Sequence, residues 1–216
     1  MLHLVYVIAG IAILFLITEY LWRSKKYTHE TVRKFLHISL GSFIAFWPFL
    51  ISRYLIIALA LGFILSIFLV RRFKSLSKKF TIFKSVKKLD RQSHGELYFS
   101  IGILVASLLT TNKYIFLVAI LNLSISDGLA AIIGKKYGKS TKYTVFGAKK
   151  SLVGSLAFYV CALVILTAYY AFSNQSPSLS TILLFPPFLT FIESLSTSGI
   201  DNLLIPIVVI YWLSNF

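Results

Sequence analysis

The sequence predicts an all-α integral membrane protein: a polytopic bundle of about eight transmembrane helices, one domain over residues 1–216, with a basic amphipathic helix at the cytoplasmic surface. Three observations predict it. The chain has a mean hydropathy of +0.82 and is only 13% charged, well below the roughly one quarter expected of soluble domains. Apolar runs of membrane-spanning length recur from one end to the other. Of its 22 Lys and Arg residues, 20 gather in three connections between those runs, as the positive-inside rule requires of cytoplasmic loops.

The runs fall near 2–22, 35–51, 54–70, 95–111, 114–134, 152–172, 179–195 and 201–215. The first reads as an uncleaved helix, because no basic residue precedes it and the positive cluster WRSKK lies on its far side. The last two are the weakest. FPPF at Phe185 to Phe188 interrupts one and Pro206 sits in the other, so seven spans is the alternative.

The basic connections hold Arg23, Lys25, Lys26, Arg33 and Lys34, then nine residues between Arg71 and Arg91, then six between Lys135 and Lys150. The intervening connections carry only Arg53 and Lys113. This predicts three cytoplasmic loops and both termini outside. All seven acidic residues fall in or next to the same half: Glu19, Glu30, Asp90, Glu96, Asp127, Glu193 and Asp201. Acidic residues have no comparable insertion rule, so their clustering predicts a polar site at the cytoplasmic face.

Within the longest connection, Phe73, Leu76, Phe80, Phe83, Val86 and Leu89 recur three or four residues apart among lysines. That spacing predicts a basic amphipathic helix in contact with membrane lipids. Nucleic acid is excluded as a partner, because no aromatic stacking platform accompanies a charge that topology already explains. Cys161 stands alone in an apolar run, and His3, His29, His37 and His94 have no metal-ligand spacing.

Three constellations carry chemistry. In SISDGLAAIIGKKYGK, Asp127, Ala130, Gly134 and Gly138 share one helical face. Small residues let another backbone or a phosphate approach, and a carboxylate in an apolar run costs about 2.5–3.5 kcal/mol on insertion scales, so it is expected to function. In GAKKSLVGSLAFY, Lys149 and Lys150 precede Ser151, the expected N-cap of the next span, with Gly154 one turn in; free helix amides beside lysines form an anion site. In FIESLSTSGIDNLLIP, Glu193, Asp201 and Asn202 flank Gly199 with no basic residue after Lys150, which predicts a metal or a distant lysine as their partner. Weaker signals are Arg33, Lys34 and His37 in RKFLHI, and Glu96 in SHGELYF.

Taken together, DGLAAIIGKKYGK, KKSLVGS and ESLSTSGIDNLLIP, with RKFLHI and GELYF before them, resemble the phytol kinase and dolichol kinase family of polyprenol kinases from about Arg33 to Pro206. The resemblance implies a multi-pass enzyme that transfers a phosphoryl group, usually from CTP, to the terminal hydroxyl of a long isoprenoid alcohol such as dolichol, phytol or geranylgeraniol. A CTP-dependent diacylglycerol kinase is similar to the family. One position departs: Val153 stands where the family commonly has Glu.

The expected roles follow. Asp127 and Asp201 bind Mg²⁺ or another divalent cation; Lys149 and Lys150 with Ser151 and Gly154 clamp the triphosphate of CTP or ATP. Gly134, Gly138 and Asn202 approach the nucleotide, and Glu193 orients the alcohol or acts as base. Arg33, Lys34, His37 and Glu96 are possible additions. Two other readings compete. CDP-diacylglycerol synthases share a similar Ser-Asp helix but carry a basic C-terminal signature absent after Lys150, and an ion-coupled transporter would need ionisable residues at mid-membrane.

Overall fold

The computed structural model describes residues 2–72, 94–173, 176 and 178–216. The basic amphipathic helix expected between Arg71 and Arg91, with Phe73 to Leu89, lies almost wholly outside them.

Helices α1 (Leu2–Arg23), α2 (His29–Ala45), α3 (Trp47–Leu50) and α4 (Arg53–Arg72) are followed by α5 (Gly95–Leu109). A long rod then runs through α6 (Lys113–Leu121), a π-helical turn (Asn122–Ser126) and α7 (Asp127–Tyr137). A two-stranded antiparallel hairpin, β1 (Lys142–Val145) and β2 (Ala148–Ser151), leads into α8 (Leu152–Ser173), α9 (Leu179–Leu195) and α10 (Asp201–Asn215).

Among the described residues four helices are long and apolar enough to cross a membrane: α1, α4, the rod from Lys113 to Tyr137, and α8. Three shorter apolar helices, α5, α9 and α10, accompany them. The run expected to span 35–51 is redrawn. Its helix begins at His29, where the Thr28 hydroxyl accepts the amide of Thr31 at 3.2 Å as an N-cap. It ends at Ala45 because Pro48 has no N–H for the carbonyl of Ile44 and its ring crowds that oxygen. By contrast Pro186, Pro187 and Pro206 are accommodated inside α9 and α10.

The rod is the centre of the bundle: 67% of its apolar window is buried, against 11% for α1. It packs against α2, α5, α8 and α10, with Ile120, Leu123, Phe158, Leu166 and Ile205 fully enclosed. Lipid is as apolar as leucine, so such a bundle relies on close packing rather than on water exclusion. Helices α7 and α8 approach each other closely. A Cβ on Gly154 would lie 3.0 Å from the carbonyl oxygen of Ala130 and 3.3 Å from Cα of Gly134.

The hairpin departs from the purely helical expectation. Register pairs Val145 with Ala148, leaving Phe146 (φ 45°) and Gly147 (φ 81°) as a two-residue loop, both in the left-handed region that such hairpins need. Leu152 N donates to Thr141 O, tying the hairpin base to the start of α8.

Candidate active site

Asp127, Glu193 and Asp201 come from three elements and meet at one end of the bundle, each offering a carboxylate oxygen within 4.8 Å of the others. Asp127 opens α7 directly after the π-helical turn, an insertion common at functional sites. Polar side chains secure that turn: Asn122 Nδ2 donates to Val118 O at 2.9 Å and Ser126 Oγ donates to Asn122 Oδ1 at 3.1 Å. Glu193 lies in the last turn of α9, and Asp201 opens α10, where its Oδ1 accepts the amide of Asn202 at 3.0 Å.

Two of the carboxylates carry a cation. Lys34 Nζ is 2.8 Å from Asp127 Oδ2, with both side chains nearly enclosed. His37 Nε2 stands 3.0 Å from Leu123 O and 3.3 Å from the same Asp127 oxygen; both are acceptors, so this ring nitrogen carries the proton. Lys150 Nζ is 2.5 Å from Glu193 Oε1 and also donates to the Glu193 carbonyl. Among the described residues no ion pair reaches Asp201. Buried carboxylates at this spacing would repel strongly without compensation, and two lysines leave one negative charge over. Oxygen donors with residual negative charge suit a hard divalent cation such as Mg²⁺.

Strand alternation separates the two lysines that the sequence sets side by side. Lys150 faces the cluster, whereas Lys149, opposite Thr144, is exposed. Ser151 caps α8: its Oγ accepts the amide of Gly154 at 3.2 Å. The glycine stripe is turned to packing. A Cβ on Gly134 would stand 2.8 Å from Ser151 Oγ, and one on Gly138 would collide with the same side chain. Tyr143 OH meets Ser155 Oγ at 2.7 Å, and Ser155 meets Ser194 at 3.1 Å, fastening hairpin, α8 and α9 beside Glu193.

Over 194 aligned residues the chain is 29% identical to the phytol kinase of Synechocystis sp., covering 87% of this chain and 80% of that one. It is 30% identical to the CTP-dependent diacylglycerol kinase 1 of Schizosaccharomyces pombe, over 88% of this chain and 95% of the relative. An uncharacterized protein of Methanocaldococcus jannaschii is 31% identical over 65% of this chain and 73% of its own length. The chain belongs to this family of CTP-dependent lipid kinases. No family model and no solved structure matches it.

In this member of the lipid kinase family, the weakest sequence signals occupy central places. Lys34 and His37 hold Asp127, and Arg33 pairs with Glu30 at 2.8 Å. Burial opposes the Glu30 carboxylate, yet the hydrogen bond and charge of Arg33 outweigh it and hold its pKa below the ordinary value. Glu96 and Asn202 line a cavity of about 320 Å³, to which Lys34 and His37 also contribute. Tyr143, Ser155 and Ser194 cannot be read along the chain as a linked set, since each is an ordinary polar residue until the hairpin folds.

Proposed function

We propose that the chain is a membrane-embedded kinase that transfers a phosphoryl group from a nucleoside triphosphate, CTP, to the terminal hydroxyl of an isoprenoid alcohol at the cytoplasmic face, with both termini outside. The observation that carries the reading is the convergence of Asp127, Glu193 and Asp201 with Lys34 and Lys150. Phosphoryl transfer asks the protein chiefly for charge neutralisation and in-line positioning, and these groups supply both.

Asp127 and Asp201 would hold Mg²⁺. That ion supplies neutralisation of phosphate charge when bound. Lys150 and the capped start of α8 at Ser151 bind phosphate oxygens, as lysines and helix N-termini do. Exposed Lys149 adds long-range attraction for the nucleotide. Lys34 pairs with Asp127 and holds it in place, and His37 fixes the rotamer of the same carboxylate. The alcohol oxygen then bonds to the γ-phosphorus, the bond to the nucleoside diphosphate breaks, and the hydroxyl proton leaves to a carboxylate, for which Glu193 is the candidate within the cluster.

The test is incubation of purified protein with Mg²⁺, labelled CTP or ATP, and separately geranylgeraniol, phytol, dolichol and diacylglycerol. Label in an isoprenoid monophosphate, greater from CTP, is the expected result. Label in phosphatidic acid alone would replace the acceptor class, and no transfer to any lipid would defeat the reading.

A further inference from the structure

We infer that the cavity between α1, α2, α4 and α5 is the acceptor site of this kinase, and that Glu96 positions the acceptor hydroxyl there; the inference rests on the kinase reading for its second substrate. The body of the cavity is apolar, formed by residues including Phe15 of α1 and Phe63, Ile67 and Val70 of α4. Phe15 and Phe63 meet with ring centroids 6.0 Å apart. Its volume of about 320 Å³ lies at the lower end of the usual range for ligand pockets.

The polar end decides the ligand. Glu96 Oε2 and Asn202 Oδ1 are both buried without a hydrogen-bond partner among the described residues, and both residues line this cavity. Such atoms are costly unless something fills them. Thr18 and Ser66, which also line the cavity, turn their hydroxyls to the carbonyls of Leu14 and Phe63 in their own helices. The cations there are engaged as well, Arg33 by Glu30 and Lys34 by Asp127. Among the described residues the buried lining atoms left unpaired are these two acceptors, at the end of an apolar chamber. They ask for a ligand with a hydrogen-bond donor on a long apolar body: a neutral lipid alcohol. A phosphate or carboxylate head would meet Glu96 without a proton to donate.

Placement joins this end to the carboxylate cluster. Asp201 lies in the cluster and the next residue, Asn202, lines the cavity, with its Nδ2 donating to Gly95 O at 3.1 Å beside Glu96. Lys34 and His37 line the same cavity while contacting Asp127. An alcohol seated here donates its O–H to Glu96, which orients the oxygen toward the cluster; the proton passes to a carboxylate of the cluster as the new P–O bond forms and the bond to the nucleoside diphosphate breaks. The product ester oxygen no longer has that proton, so the hydrogen bond that held the alcohol is lost on phosphorylation. The orienting role that the sequence assigned to Glu193 thereby passes to Glu96.

The test begins with the full chain in detergent micelles, without nucleotide, exposed to geranylgeraniol carrying a diazirine at the end of its chain. Photolabel mapped by mass spectrometry to α1 and α4 around Phe15 and Phe63, displaced by unlabelled geranylgeraniol, is expected; label elsewhere overturns the inference. Displacement by dioleoylglycerol but not by geranylgeraniol would keep the site and change the alcohol it takes. In kinetics, Glu96→Gln should raise the KM for alcohol about tenfold or more while leaving the KM for CTP within about twofold. A mere loss of folded protein would reduce kcat without that split. Ile67→Trp, which fills the chamber, should abolish labelling and leave CTP binding intact. Transfer that proceeds with unchanged alcohol KM in Glu96→Gln defeats the cavity and spares the kinase reading. Label in the cavity with no transfer from CTP or ATP does the reverse.

Discussion

Lys34 and Asp127, 93 positions apart in the chain, form an ion pair of 2.8 Å between α2 and the first turn of α7. Each side chain is nearly enclosed, at 12% and 9% exposure, so neither charge has water to fall back on. Removing one partner of such a pair strands the other, a loss of about 3–5 kcal/mol, while removing both charges is often near neutral. Lys34→Met should therefore melt well below the unaltered protein in detergent, and Lys34→Met with Asp127→Asn should recover most of the difference. A double variant no more stable than Lys34→Met would show that the pair does not couple α2 to α7.

The hairpin yields a sharper prediction than the lysine run read as a string. Lys150→Gln removes a cation held 2.5 Å from Glu193, and should raise the KM for nucleotide by about tenfold or more, as loss of a charge-assisted hydrogen bond does. Lys149→Gln, on the exposed face, should change it by less than about threefold. Equal effects from steady-state kinetics would mean that the strand does not sort the two lysines.

A third prediction concerns packing. Gly154→Val places a branched side chain where even a Cβ would lie 3.0 Å from Ala130 O. Overpacking of this kind costs about 1–3 kcal/mol. Because Ser151 Oγ is bonded to the amide of Gly154, the same change should also weaken nucleotide binding, read as a lower melting temperature together with a raised nucleotide KM. A melting temperature unchanged in Gly154→Val would remove the close helix contact from the account.

Much of this was legible in the sequence, for identifiable reasons. Helices such as α1, α4 and α8 announce themselves because twenty apolar residues in a row have few other uses. Asp127 is visible because a carboxylate in such a run is expensive. Glu193 and Asp201 are visible because no basic residue follows Lys150, and the distant lysine proved to be Lys150 itself for Glu193. The hairpin was hidden: KYTVFGAKKS lacks an Asn-Gly or Asp-Gly turn, and its two left-handed residues are Phe146 and Gly147. That Glu96 and Asn202 line one cavity is a property of how α5 meets α10. No spacing along the chain encodes it. Helix α2 begins ahead of its apolar run because the polar turn capped by Thr28 precedes that run.

The central claim is that Asp127 and Asp201 act in one phosphoryl-transfer site, and a double-mutant cycle on transfer rate tests it most directly. Asp127→Ala, Asp201→Ala and the double variant are compared in protein of matched folded fraction, with labelled CTP and a saturating isoprenoid alcohol. Groups that act as a unit are strongly non-additive. The account predicts that either single variant loses nearly as much activity as the double. Losses that multiply, with each single variant retaining its own independent fraction, would contradict a shared site.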